Sequence, residues 1–452
     1  MKTQSKFTSY RPASTKELIS LALPLMLTIM SGTVMFFISR LIVAQYSIKA
    51  MNAMTSLTSF IAVFQFAPIA LTSISEVFVG QFNGSNRHSD IGKPVWQMIW
   101  VALGLGIIYI PMGLLGWHYI PDQFVEDGAP YFRLMMPFAF LMPLIGALSG
   151  FYAGRGQVKI LTLTSVGSNI INGVLTYCLV LGVPGFIEPW GPVGAACGSV
   201  LAQLSTVIIL FSIFLRKEYR DTLGTGHFKI NKILLWDCLK IGLPHAASHT
   251  IEFSGWSFLI MKGSLISATY ATVLSVCQNF FVLFSFLTEG LQKAMVAVVS
   301  NLIGRKDFHL IGRAWKSGLK IFGYILILVA IPLLFYPHLL LKIFVTKDTA
   351  LYNLVLQDVR LSFYAVWVYF IFDGMTWLLG GILTASGDTK FMMKTNLVTM
   401  IFAAIIPTYW VCIHHQTDPY LFWAVSVIYA LVNFGLFYWR YRTNVWQKLS
   451  IL

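Results

Sequence analysis

Long stretches of the sequence carry almost no charge, and this constrains the fold more than any other feature. Twelve apolar runs lie between residues 18 and 439, separated by short polar or Gly/Pro-rich segments. A membrane-spanning helix needs about 20 apolar residues. Charged residues make up 11% of the chain, against roughly 25% in soluble domains. The sequence therefore predicts an all-α integral membrane protein with twelve transmembrane helices.

Basic residues fall in alternate loops, which indicates the orientation of the helices. If the N-terminus lies in the cytoplasm, 23 Lys and Arg residues fall in inner segments and 6 in outer segments. Because cytoplasmic loops are enriched in Lys and Arg, this bias predicts that both termini are cytoplasmic. It also explains the net charge of +14 without nucleic acid, whose binding would gather basic residues on one face. We expect a multi-pass protein of the bacterial inner membrane, in contact with the lipid bilayer.

The two halves of the chain repeat each other at a nearly constant offset. Pro24 in "LALP" and Pro244 in "IGLP" are 220 residues apart, and so are Gly84 and Gly304. Six spans per copy would give both copies the same orientation in the membrane. The repeat thus predicts two pseudo-symmetric six-helix bundles, related by an axis along the membrane normal, with a cavity between them. The predicted parts are an N-terminal lobe at 1–215, a cytoplasmic linker at 216–234 and a C-terminal lobe at 235–452.

Charged side chains inside the predicted spans are costly, so each needs a physical reason. Glu252 in span 7 and Asp373 in span 10 lie near the middle of their spans. Tyr369 precedes Asp373 by one helical turn and could donate a hydrogen bond to it. Buried carboxyls of this kind could exchange a proton, Na⁺ or a cationic solute. The alternative is that each carboxyl only accepts a hydrogen bond from a neighbouring helix.

Two histidines share a helical face with Glu252. His245, His249 and Glu252 are spaced four and three residues apart on span 7, so they line one side of that helix. A metal site would need a further ligand from another helix, and we expect none here. A proton relay or a polar cavity wall, and ordinary hydrogen-bonded histidines, both remain open.

Other polar side chains inside the spans are candidates for coupling or for the cavity wall. Glu289 and Lys293 are spaced i,i+4 in the order that favours an ion pair, so mutual neutralisation competes with a role in cation exchange. Glu76 could extend towards the inner membrane surface. Amides inside spans often serve only to bridge helices. The amide candidates for the cavity are Gln278 and Asn172.

Several strings along the chain, in this order, resemble the multidrug and toxic compound extrusion (MATE) family over nearly the whole length. They are "LALPLML" at 21–27, "EVFVGQFNG" at 76–84, "GRG" at 154–156, "IGLPHAASHTIEF" at 241–253 and "FDGMTWLLGGILTASGDT" at 372–389. The resemblance implies two lobes that work by alternating access, exporting a small organic solute in exchange for Na⁺ or H⁺. It implies that Glu252 and Asp373 are the coupling acids, as in NorM-like members.

The first lobe departs from the pattern of the family. Many bacterial relatives carry an aspartate in the first span, where this sequence has Ser39. Because a serine cannot neutralise a cation, a mechanism based on a first-lobe carboxylate is not expected. Four acids against two bases inside the spans favour a cationic or zwitterionic substrate. We expect a monomer that needs no cofactor apart from the coupling ion.

Two other functions compete with efflux. A flippase for a lipid-linked oligosaccharide resembles this family in fold, but it would need a basic or wide cavity for pyrophosphate, and the charges inside the spans are mostly acidic. A polytopic membrane enzyme is the second alternative. The chain has no HExxH, GxGD, nucleotide-binding loop or nucleophile elbow, so an enzyme is not expected.

Overall fold

The computed structural model describes residues 7–120, 122–344 and 350–449, and within these ranges it contains helices and no strand. Helices dominate because a backbone in lipid must satisfy its own hydrogen bonds. In the first half of the chain the α-helices are α1 Thr15–Tyr46, α2 Ile48–Thr72, α3 Ser75–Gly84, α4 Gly92–Leu115, α5 Asp122–Met135, α6 Leu141–Gly154, α7 Val158–Leu181, α8 Pro192–Phe214 and α9 Lys217–Leu223.

The second half repeats the alternation of long helices and short breaks. Its α-helices are α10 Lys232–Ser264, α11 Ala268–Gly304, α12 Ile311–Ala330, α13 Pro337–Lys342, α14 Ala350–Ala385, α15 Thr389–Thr399, α16 Ile406–Thr408 and α17 Tyr420–Arg442. Wider π-helical turns at Met400–Ile405 and Tyr409–His414 flank α16, so that residues 389–414 form one almost continuous helical rod.

Ten helical segments of the described chain are long and apolar enough to cross a membrane. The two further predicted spans correspond to α5 with α6, which is interrupted after Met135, and to α10, whose polar run from His245 to Glu252 lowers its hydropathy. The prediction of an all-α membrane protein is confirmed. Together these segments account for the twelve helices expected from the sequence.

The chain divides into two compact helical units. The first unit comprises residues 1–7, 24–246 and 304–306, and the second comprises 8–23, 247–303 and 307–452. The division falls inside α1 and inside α10, close to the repeated Pro24 and Pro244. The bounds of the predicted lobes and linker stay a prediction.

The segment predicted as a linker is fastened to α4 within the first unit. The Trp96 and Trp100 indole nitrogens donate to the carbonyl oxygens of Thr225 and Phe228 at 2.7 and 2.8 Å. The Gln97 side chain forms two hydrogen bonds with the same segment. It donates to the Lys229 carbonyl at 3.2 Å and accepts from the Asn231 amide at 3.0 Å. These bonds satisfy backbone groups of an irregular segment that would otherwise lack partners.

The second unit holds the start of the chain in a corresponding way. Ser317 on α12 lies 220 residues after Gln97, and its hydroxyl donates to the carbonyl oxygen of Ala13 at 2.9 Å. Glu17 accepts from the Ala13 amide at 2.6 Å and from the Thr8 hydroxyl at 2.7 Å. The internal repeat is therefore visible in hydrogen bonds as well as in the sequence, because each unit uses the same position of its third long helix.

A buried ion pair joins two helix ends of the second unit. The Arg440 guanidinium near the end of α17 donates to both carboxylate oxygens of Asp388, at 2.6 and 3.3 Å, and packs over the Phe391 ring. The Asp388 side chain is 5% exposed and that of Arg440 is 19% exposed. Such bidentate geometry is the strongest form of a carboxylate–guanidinium pair.

Removing one partner should destabilise the second unit more than removing both. Arg440→Ala leaves the Asp388 carboxylate buried without its counter-charge, which costs about 3–5 kcal/mol in comparable buried pairs. We expect a clear fall in the unfolding temperature of the detergent-purified protein, measured by intrinsic fluorescence, and partial recovery in Arg440→Ala/Asp388→Ala. Glu126→Ala, which breaks the exposed Lys49–Glu126 pair, is the matched control and should leave that temperature unchanged. An unaltered unfolding temperature in Arg440→Ala would refute this role.

Candidate functional site

Three helices of the second unit bring the predicted coupling residues together. Glu252 lies on α10, Tyr369 and Asp373 lie on α14, and α17 adds Tyr429. The Tyr429 hydroxyl donates to Oε1 of Glu252 at 3.2 Å. Asp373 is 5% exposed, forms side-chain hydrogen bonds with Tyr369 and Trp377, and interacts electrostatically with Glu252. We call Glu252, Asp373, Tyr369 and Tyr429 the carboxyl site.

The spacing of the residues along α14 explains half of this arrangement. Tyr369, Asp373 and Trp377 follow each other at intervals of four residues, so they form a line along one side of the helix. All three lie on α14, and the Asp373 carboxylate is therefore held by a donor from the turn before it and another from the turn after it. Neutral donors satisfy a buried carboxylate without cancelling its charge.

Aromatic rings pack around the site. The Trp256 ring stands perpendicular to both tyrosines, at 5.7 Å from Tyr369 and 5.5 Å from Tyr429. Phe281 and Trp423 pack against Tyr369 at 5.3 and 6.2 Å. Such rings lower the local dielectric constant, which strengthens every electrostatic interaction inside the site. Their faces can also bind an organic cation.

A chain of amides and hydroxyls extends from Tyr429 across the second unit. Asn433 Nδ2 lies 3.4 Å from the Tyr429 hydroxyl and 3.3 Å from Oδ1 of Asn396. Asn396 in turn donates to the Ser248 hydroxyl at 3.0 Å, and the Thr399 hydroxyl lies 3.4 Å from Oδ1 of Asn433. This amide chain joins α10, α15 and α17 and fixes the position of the tyrosine that binds Glu252.

Tyr429, Asn433, Asn396 and Thr399 were not among the residues predicted from the sequence. A usable signal was present, because Tyr429 and Asn433 are one turn apart in the last span and all four polar side chains lie inside apolar segments. Amides and phenols are common in such helices, however, and only the packing of α15 against α17 shows that these four meet.

The second group of candidates lies beside the carboxyl site in the same unit. Glu289 and Lys293 form the predicted pair on α11, with 3.5 Å between Oε1 and Nζ. Both interact electrostatically with His249, whose ring lies 5.7 Å from that of Trp377. Since Trp377 binds Asp373, one side chain separates His249 from the site, and two, His249 and Trp377, separate the ion pair from it. Gln278 is half-buried on α11, one turn before Phe281.

The remaining candidates lie in the first unit. His245 and Glu76 are buried, on α10 and α3. Asn172 on α7 accepts a hydrogen bond from Thr176 at 2.8 Å. Ser39 is half-buried on α1. Between α1 and α7 the first unit contains a neutral network, in which Asn169 donates to Ser31 and the hydroxyls of Thr28 and Thr162 pair.

Within the described ranges no three His, Cys, Asp or Glu side chains are grouped as a metal site would require. The carboxyl site offers two carboxylates and two phenols, a set of hard oxygen atoms. Oxygen ligands suit a proton, Na⁺ or an organic cation better than a soft transition metal.

Comparison with known proteins identifies the family. The MatE family model matches residues 24–178 and 246–410. The chain is 26% identical over 422 residues to the probable multidrug resistance protein YoeA of Bacillus subtilis, covering 88% of each. It is 25% identical over 395 residues to the probable multidrug resistance protein NorM of Xylella fastidiosa, covering 84% of this chain and 81% of the relative.

Solved structures agree on the fold. The crystal structure of the eukaryotic MATE transporter AtDTX14 superposes with a TM-score of 0.81 at 20% identity, covering 96% of this chain and 97% of that one. These relatives and structural neighbours are transporters, which sets aside the membrane-enzyme alternative. Because the two matched segments cover well over half of the sequence, the chain belongs to the multidrug and toxic compound extrusion (MATE) family of multi-pass membrane transporters.

Proposed function

We propose that this protein exports cationic or zwitterionic organic solutes by alternating access, in antiport with Na⁺ or H⁺. The observation that carries the proposal is the carboxyl site, where Glu252 and Asp373 share one buried, aromatic-lined environment. Two carboxylates so placed repel each other and are poorly solvated, so the site gains free energy by taking up a cation. Occupancy by the inward cation and by the outgoing solute is then mutually exclusive.

Antiport requires that the site bind its two ligands with different affinity in two conformations. Glu252, Asp373 and Tyr429 belong to three different helices, so a small rearrangement of α10, α14 and α17 changes the distance between the carboxyls. A proton or Na⁺ would favour the arrangement in which the carboxyls are close. A larger organic cation would favour the arrangement in which they are apart.

The substrate class follows from the sign of the charges and from the aromatic rings. Two acids beside Trp256, Tyr369 and Tyr429 favour a flat cation, which the ring faces attract. They disfavour the pyrophosphate of a lipid-linked oligosaccharide, which is the alternative substrate for a protein of this fold. The acids also support membership of the NorM-like branch of the family.

The orientation and the assembly are part of the same proposal. The 23-to-6 distribution of Lys and Arg supports both termini on the cytoplasmic side of a bacterial inner membrane. All residues of the carboxyl site come from one unit of one chain, so a monomer suffices for coupling. No cofactor is required besides the coupling ion.

Glu252→Gln tests the central role of the carboxyl pair. The amide keeps the shape of the side chain and can still bind Tyr429, but it removes the negative charge, so cation-driven export should fall at least about 100-fold. The measurement is the initial rate of ethidium transport in proteoliposomes that contain the purified protein. Glu126→Gln, on the exposed Lys49 pair, is the matched control and should transport normally. Export by Glu252→Gln at the rate of the wild type would reject the role.

The coupling ion can be identified in the same proteoliposomes. An inward Na⁺ gradient at equal pH and an inward proton gradient without Na⁺ are imposed separately, and ethidium export is followed by fluorescence. We expect one of the two gradients to drive export and Asp373→Asn to abolish that response, because the site holds one exchangeable charge. Export at the same rate with neither gradient present would contradict antiport.

Ser39→Ala tests the expectation that the first lobe lacks a coupling acid. Ser39 is half-buried on α1, and its hydroxyl carries no charge, so the variant should export ethidium within about twofold of the wild-type rate. The companion variant Ser39→Asp introduces the first-span aspartate that many bacterial relatives carry. A severe loss in Ser39→Ala would mean that the first lobe takes part in coupling.

A further inference from the structure

A pair of carboxylates lies at one end of the second unit, away from the carboxyl site. Asp358 is on the third turn of α14 and is half-buried, whereas Asp418 just before α17 is exposed. The two interact electrostatically with each other and with the phenol of Tyr270. Among the residues that the structure describes, neither aspartate forms an ion pair. Arg360 turns away and donates to the Tyr364 hydroxyl instead.

Tyr270 is the buried member of this cluster. Its side chain is 2% exposed, and its hydroxyl has no oxygen or nitrogen partner among the described residues. Its neighbours are the Cys412 thiol and the two carboxylates. A buried phenol without a strong partner has a lone pair available for a cation, and burying it without such a partner is costly.

A line of polar side chains connects this end of α14 with the carboxyl site. Asp358, Ser362, Tyr369 and Asp373 follow one another at four, seven and four residues on one uninterrupted helix. At 100° per residue they fall within an arc of about 60° over a length of about 22 Å. Polar groups aligned in this way inside a membrane protein mark ion or proton pathways.

Residues of helix α11 contact the members of this line in the same order along the chain. Tyr270 interacts with Asp358, Cys277 with Ser362, and Phe281 packs on Tyr369 at 5.3 Å. Ser362 is fully buried, and its hydroxyl also has no oxygen or nitrogen partner in the described structure. This end of the line therefore has two buried hydroxyls, those of Tyr270 and Ser362, whose described hydrogen-bonding neighbours are the weakly bonding thiols of Cys412 and Cys277.

We infer that Asp358, Asp418 and Tyr270 form a second cation-binding site, which binds the coupling cation first. The cation then passes along the line of polar side chains, by Ser362 and Tyr369, to Asp373. This inference rests on the proposed antiport. The distribution of basic residues places this end of the unit outside the cell, where an inward-moving cation first meets the protein. Exposure decreases from Asp418 to Asp358 to Tyr270, so the cation loses its water stepwise rather than at once.

The test compares two double variants that remove the same charge from different units. In Asp358→Asn/Asp418→Asn the concentration of external coupling cation that gives half-maximal ethidium export should rise about tenfold, because the local cation concentration falls. The maximal rate should be unchanged. Glu126→Gln/Asp127→Asn removes two acids from the first unit and should leave both quantities unchanged. The measurement uses the full chain in proteoliposomes, with external Na⁺ or external pH varied.

Each outcome decides the inference. An unchanged half-maximal concentration, a reduced maximal rate alone, or an equal shift in the control variant would overturn it. If the double variant fails to insert, Tyr270→Phe, which keeps the ring and removes one oxygen, should raise the half-maximal concentration about threefold, and an unchanged value would overturn it. Failure of the antiport proposal is distinguishable, because Glu252→Gln would then export normally, whereas failure of this inference leaves Glu252→Gln inactive.

Discussion

The burial of two carboxylates in one helical unit is the interaction on which the rest of the molecule depends. Charges at this depth are tolerated only with partners, and the second unit supplies phenols, an indole and a chain of amides from three helices. None of these partners carries a positive charge. The packing of α10, α14 and α17 therefore holds two carboxyls together with neutral partners.

The two copies of the internal repeat share a hydrogen-bonding position on their third long helix but differ in the polar networks between their helices. Gln97 and Ser317 are 220 residues apart, and each fastens an irregular segment to the third long helix of its unit. The polar networks differ, because the first unit pairs hydroxyls and amides around Ser31 and Asn169, whereas the second unit contains the acids. One copy of the repeat thus has a serine at position 39, whereas the other contains Glu252 and Asp373, the acids of the proposed coupling.

The sequence predicted the fold and the acids but only part of the site. Apolar length identifies spans directly, and charges are so rare inside them that Glu252 and Asp373 stand out; Tyr369 followed from its i,i+4 spacing. Tyr429 is separated from Glu252 by 177 residues along the chain, and nothing local to either residue indicates the pairing. The same holds for Asn396 and Asn433. Contacts between distant helices depend on rotation and depth, which hydrophobic periodicity does not fix for a helix that is apolar on all sides.

The choice of partners distinguishes structural from functional acids within one unit. Asp388 is as deeply buried as Asp373, yet it receives a guanidinium from Arg440 that neutralises it permanently. Asp373 receives only a phenol and an indole, which lower the cost of burial without supplying charge. Arginine thus neutralises Asp388, whereas the described partners of Asp373 are neutral. A permanent counter-charge there would abolish the exchange that the proposed antiport requires.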